Sequence, residues 1–156
     1  MKGVAALLLV AAPAGARDTI GVYRTWGAFR DAQPARCFAI AQPVGTAARA
    51  GFATVASWPG RGLRSSFHVH LSHAADRAAA VTLSVGERRF ALAAGDRDAW
   101  ATDAASDRAI VSAMRSGRSM SVEGLSVDGR PFADVYLLGG AATAIDAAAL
   151  ACAGAR

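Results

Sequence analysis

Residues 115–152 read RSGRSMSVEGLSVDGRPFADVYLLGGAATAIDAAALAC, and the fold is decided here. The stretch contains the end of a helix, two strands around Asp128-Gly129, and a second helix of small residues that finishes on a cysteine. Strands are predicted over residues 118–127 and 131–138, because Asp-Gly suits the positive φ angles of a hairpin turn. Met120 and Val122 stand in one register and Leu125 and Val127 in the other, so Gly124 between them is predicted to be a β-bulge. Gly139-Gly140 lets the chain turn sharply into the last helix. There Ile145, Ala148, Ala149 and Cys152 share one face, which directs Cys152 inward toward a strand that could carry Cys37.

Immediately upstream, Ala105, Ala109, Ile110, Ala113 and Met114 recur at helical spacing. Thr102 or Asp103 can cap that helix, since either side chain accepts a free first-turn amide. Gly117 is expected as its left-handed terminus, and Trp100 as an anchor packed against it. Farther back, residues 80–85 and 89–93 predict a tight hairpin in which Val81, Leu83 and Val85 face Phe90 and Leu92. In residues 63–72, Phe67, Val69 and Leu71 line one face while Ser66, His68 and His70 line the other. Residues 52–58 make another strand, stopped by Pro59-Gly60. Residues 36–42 make a strand buried on both sides. A first strand near residues 19–30 is expected to break at Gly27, with Trp26 and Phe29 entering the core, and Asp31 to Pro34 then forms a turn. Six to eight short strands with two helices near the carboxyl terminus predict a mainly β, single-domain antiparallel sandwich or open barrel.

The amino terminus, MKGVAALLLVAAPAGA, joins a charged Lys2 to an apolar run and a small-residue triplet ending at Ala16. That is the pattern of a secretory signal peptide, and the run is too short for the ~20 residues of a bilayer span. Residues 1–16 are therefore expected to be removed, leaving residues 17–156 as one domain in the periplasm, not integral to the membrane. Lys2 is the only lysine among 17 basic residues, so beyond the leader 16 arginines face 12 acidic residues, a net charge of +4. The arginines are scattered, which speaks against nucleic acid as a partner.

Cys37 and Cys152 are the only cysteines. An even count in an exported chain favours a disulfide, with two buried free thiols as the alternative. His68, His70 and His73 form HxHxxH, whose first two imidazoles share a strand face and can converge on a metal ion, with His73 as the third ligand. The competing reading is a solvated polar face. A serine hydrolase would have to assemble its triad from distant residues, such as Ser66 or Ser72 with a histidine, because neither GxSxG nor SxxK occurs beyond the leader. Glu87 and Glu123, the only glutamates, fit surface roles better than a glycosidase pair. No phosphate-cradling glycine loop, zinc-type cysteine cluster or HExxH helix is present. No catalytic residues and no cofactor are assigned.

The succession AIVSAMRSGRSMSVEG, SVDGRPF and YLLGGAATAID resembles the invasion-associated locus B family of exported bacterial proteins. The family's helix, G-x-x-x-x-V strand, hairpin and leucine-glycine step into an alanine-containing helix fall on Ile110 to Gly117, Val122, Asp128-Gly129 and Leu138 to Ala149. Trp26 and Cys37 to Pro43 look like its early tryptophan and its cysteine-plus-glutamine strand. Family members often carry further cysteines in mid-chain, and here there are none. The resemblance implies a periplasmic or surface-associated, non-enzymatic protein linked to host-cell entry or envelope stress, with an envelope or host protein as its partner. A virulence role for this chain does not follow from it.

Overall fold

A computed structural model describes residues 17–45 and 50–154. The expected leader, residues 1–16, lies outside the described residues. The elements run β1 (Arg17–Tyr23), β2 (Trp26–Asp31), β3 (Arg36–Ala41), β4 (Phe52–Trp58), β5 (Leu63–His70), β6 (Val81–Val85), β7 (Arg88–Ala94), β8 (Asp98–Ala101), α1 (Ala104–Ser116), β9 (Ser119–Leu125), β10 (Pro131–Leu137) and α2 (Ala141–Ala153). The strands form one antiparallel sheet in the order β1-β2-β3-β4-β5-β8-β7-β6-β9-β10. The mainly β fold with two helices matches the sequence expectation, with ten strands in place of six to eight. The sheet does not close into a barrel. Its two ends meet through isolated bonds: the Trp26 indole donates to the Leu137 carbonyl at 2.8 Å, and the Val44 amide donates to the Val135 carbonyl at 2.7 Å.

Period-two alternation decides which side of this sheet is covered. Ala53, Val55, Phe67, Val69, Val81, Leu83, Met120, Val122 and Tyr136 point inward and are buried. Ile110, Val111, Ala113 and Met114 of α1 and Ala141, Ala144, Ile145, Ala148 and Cys152 of α2 belong to the same core. Burying each of the larger aliphatic side chains contributes about 1.5–3 kcal/mol. α1 packs mainly on β5 and α2 across β1 to β4. The alanine-rich face of α2 lets it approach the sheet closely enough for Cys152 to bond Cys37 of β3, 115 residues away in sequence. The chain-entropy relation gives a closure of this length an upper figure of about 5 kcal/mol.

Several local expectations are corrected. The first β segment breaks at Arg24-Thr25, where Arg24 has a φ of 57°, and Gly27 lies inside β2. Phe29 points to the outer face, stacked on Phe38 with ring centroids 5.7 Å apart, because it is one residue out of phase with the inward-facing Ala28. The pairing of β9 with β10 runs unbroken through Gly124, so there is no bulge there; the irregularities fall between Thr19 and Gly21 and between Ala56 and Trp58. Only Gly129 of the Asp128-Gly129 pair has a positive φ, and the turn closes between Ser126 and Arg130. Asp103 caps α1 by accepting the Ser106 amide at 2.7 Å, but Gly117 is extended rather than left-handed. Space explains that glycine: a Cβ would lie 2.7 Å from Val85 Cγ1 and 3.0 Å from Leu138 Cδ1. Gly140 has both constraints, with a φ of 92° and the Tyr23 carbonyl oxygen 1.9 Å from where a Cβ would stand.

Candidate functional site

The side of β4, β5 and β8 away from the helices carries the candidate site. The β4–β5 register sets Phe52 opposite His70 and Thr54 opposite His68, and the β5–β8 register sets Asp98 opposite His70 and Trp100 opposite His68. His68 and His70, two residues apart, therefore share a face, as their spacing predicts. Both bond one carboxylate oxygen: His68 Nε2 lies 2.8 Å and His70 Nδ1 2.9 Å from Asp98 Oδ1. Since an ionised carboxylate only accepts, each ring donates an N–H to it, which fixes the tautomers of neutral imidazoles. Burial pushes the Asp98 carboxyl up, but the bonds from His70 and His68 outweigh it and hold the group below its ordinary value.

Aromatic rings complete the patch. Phe52 stacks on His70 at 5.1 Å and meets His68 edge-on at 5.9 Å, while Trp100 leans over His68 at 5.4 Å. Trp100 is 45% exposed. It does not anchor α1 as expected, because its strand partner directs it outward and the fully buried Ala99 takes the inward position. Asp98, Phe52 and Trp100 were not assigned to a site from sequence. The available signal was the alternation in Asp98-Ala99-Trp100-Ala101.

His73 does not join this cluster. It lies beyond the end of β5, exposed, stacked on Phe132 at 5.6 Å and bonded to the Ser72 hydroxyl at 2.8 Å. The expected ligand set His68, His70 and His73 is thus divided between two places, because the chain leaves the strand after His70 and the face alternation no longer applies. Among the described residues no group of three or more His, Cys, Asp or Glu side chains is arranged to hold a metal ion.

Ser72 and His73 satisfy the distance requirement of a nucleophile and base, yet their connections run in the wrong order. Asp134, fully buried on the inner side of β10, accepts the Ser72 hydroxyl and, at 2.8 Å, the Ser72 amide. A triad carboxylate orients the histidine and leaves the serine proton for the ring. Here the carboxylate accepts the hydrogen bond from the serine hydroxyl, and the histidine is left to donate to the hydroxyl oxygen. Ser66 lies on the outer face of β5 with no histidine bonded to its hydroxyl among the described residues. Asp107, in the first turn of α1, accepts the Phe67 amide at 2.6 Å. The amides of Phe67, Val69 and Leu71 project toward β8, but the pairing of β5 with β8 stops at His68 opposite Trp100. The helix supplies the missing acceptor. Burial is the largest influence on Asp107 and raises its carboxyl above the ordinary value.

No protein-family model matches the sequence, and no curated protein matches it. Among solved structures, the chain is similar to invasion associated protein B from Bartonella henselae, at 18% identity and a TM-score of 0.63 over 82% of this chain and 93% of that one. The likeness establishes a shared fold across nearly the whole of that protein, which agrees at the level of architecture with the resemblance read from the sequence.

Proposed function

We propose that the protein is an exported, non-catalytic binding or accessory protein of the bacterial envelope. It works in the periplasm and presents the outer sheet face around Phe52, His68, His70, Asp98 and Trp100 to an envelope or host protein. The observation that carries this reading is the bond between Cys37 and Cys152, which ties the start of the domain to its last helix. Such bonds persist in oxidising compartments, and the amino-terminal pattern is that of an export signal. Polar side chains that could serve chemistry, Asp134 with Ser72 and Asp107 with the Phe67 amide, are committed to holding the backbone. The connection to host-cell entry or envelope stress rests on the sequence resemblance and on the name of the protein with the shared fold.

Expression of the full chain in a Gram-negative host tests the reading, with a photo-crosslinking amino acid placed at Trp100 or, as a control, at the exposed Thr143. The expected product is a periplasmic chain beginning at Arg17, two hydrogens lighter than its reduced form, that crosslinks to an envelope protein from position 100 only. Retention in the cytoplasm with both thiols open to alkylation would sink the export reading. Equal crosslinking from both positions would sink the assignment of the surface.

A further inference from the structure

The sheet has a second distinctive region, at the tip of the β4–β5 hairpin, where the sequence runs Trp58-Pro59-Gly60-Arg61-Gly62-Leu63-Arg64. Leu63, the first residue of β5, is 47% exposed and stands between Arg61 and Arg64 in sequence. Two guanidiniums approach the Trp58 ring, Arg36 at 5.0 Å and Arg61 at 5.2 Å, and Arg36 also covers Phe38 at 4.3 Å. Arg36 and Arg17 share the carboxylate of Asp31. Arg61 and Arg64 have no carboxylate within salt-bridge distance among the described residues, so this end of the sheet carries unbalanced positive charge.

Beneath the tip lies a cavity of about 670 Å³, within the range of roughly 300–1,000 Å³ typical of small-ligand sites. Its hairpin wall includes Pro59, Leu63 and Arg64, and its far wall is the last turns of α2, with Ala149 and Ala153 beside the disulfide. The two walls differ electrically. The carboxyl-terminal end of a helix carries partial negative charge and repels anions, and this one has no basic residue in its last turn. An anion is therefore favoured at the hairpin rim, where Arg64 lines the cavity and Arg61 lies just outside it, while Leu63, Ala149 and Ala153 offer an apolar chain a surface between the serines of the lining.

We propose that the hairpin tip and this cavity dock the protein onto an anionic lipid surface, with phosphate headgroups held by Arg61 and Arg64 and an acyl chain lying against Leu63 and α2. Charge complementarity selects the partner. An exposed leucine beside arginines, with the half-buried Trp58 under two guanidiniums, provides the apolar and cationic contacts that membrane interfaces favour. Docking here leaves the Trp100 surface free and adds a membrane partner to the function proposed above. The binding itself depends on neither export nor crosslinking.

Flotation of the purified, oxidised chain with vesicles tests it, using phosphatidylcholine alone and phosphatidylcholine mixed equally with phosphatidylglycerol. Binding is expected only to the second and is expected to fall with salt. The double variant Arg61→Gln/Arg64→Gln loses roughly thirtyfold in partitioning, from about fivefold per charge. Leu63→Ser weakens binding with an unchanged salt slope. Arg88→Gln/Arg89→Gln, which removes the same charge from another hairpin, retains it. Equal binding to neutral vesicles, or equal loss in both double variants, overturns the proposal. Displacement by inorganic phosphate at constant ionic strength would assign the site to the free ion instead. A dimer that forms without vesicles and is lost in the Arg61/Arg64 variant would assign it to a second copy. The substituted side chains are exposed, so far-ultraviolet circular dichroism and the urea midpoint should be nearly unchanged in all variants.

Discussion

Asp98 and Asp134 each gather two hydrogen-bond donors from the chain in and just after β5, on opposite sides of the sheet. Asp134 accepts the amide and hydroxyl of Ser72 and is fully buried; Asp98 accepts the two imidazoles of His68 and His70 and keeps 39% of its side chain exposed. The buried carboxylate needs internal donors, because a charge removed from water without partners costs far more than its hydrogen bonds return. The outer one would be solvated in any case, so its two histidines are not required for burial. What they achieve is orientation: two rings held against Phe52 and Trp100 in a fixed array. The inner cluster is architecture, and the outer one is the surface proposed above for binding.

The strongest way to break this contrast is to remove the inner carboxylate. Asp134→Ala leaves the Ser72 amide and hydroxyl without acceptors in a closed interior and opens a small cavity, so a loss of about 3 kcal/mol is expected. Urea unfolding would register it as a lower midpoint with an unchanged slope. A loss under about 1 kcal/mol would mean that water reaches Ser72 and that the inner cluster is not sealed. The adjacent Tyr136 makes the site more demanding still. Its hydroxyl is buried without a partner, and burial, reinforced by the Asp134 charge, pushes it far above its ordinary range.

A smaller effect follows from titration, with opposite signs at two carboxylates. Asp98 is held below its unfolded value, so its contribution is present above about pH 4 and is lost as pH falls through the folded value. Asp107 is raised, so its contribution is present below about pH 4 and is lost as pH rises through its folded value. Asp98→Asn should therefore lessen the acid-side decline in urea midpoint. Asp107→Asn keeps an acceptor for the Phe67 amide and should remove a decline on the rising side. If both variants shifted the profile the same way, the distinction between a donor-rich outer carboxylate and a desolvated helix-borne one would fail.

Local signals made the carboxyl-terminal unit legible. The Asp-Gly turn, the Asp103 cap and the glycine pair before α2 are all decided by residues within a few positions of one another. The strand at Phe52 to Trp58 and the pairing of Leu83 with Phe90 were legible for the same reason. The outer site was only half legible. Spacing alone puts His68 and His70 on one face, but their partner lies about thirty residues onward, across a pairing of β5 with β8 that skips β6 and β7. Sequence favours neighbours in the chain, and this sheet joins strands that are not neighbours. Gly117 and Gly124 mislead for a related reason. Both were read as backbone signals, whereas a Cβ at either would crowd the side chains of distant elements: Val85 and Leu138 at Gly117, and Phe132 and Val81 at Gly124.

The smallest expected effect is the most direct test of the outer face. Trp100 and Trp26 are both strand residues, but Trp26 is fully buried with its indole bonded to Leu137, and Trp100 is nearly half exposed over His68. Replacing Trp100 by alanine removes a side chain that water already reaches, so the unfolding free energy should change by no more than about 0.5 kcal/mol. Trp26→Phe, by contrast, leaves the Leu137 carbonyl with only the longer bond from the Thr25 hydroxyl, at 3.3 Å, and opens a void where two ends of the sheet meet, so it should cost several times more. Parallel urea titrations of the two variants decide the matter. A Trp100→Ala loss as large as that of Trp26→Phe would make Trp100 part of the scaffold. A near-neutral change leaves a large aromatic ring that folding does not require, fixed beside two oriented imidazoles, as a surface for binding needs to be.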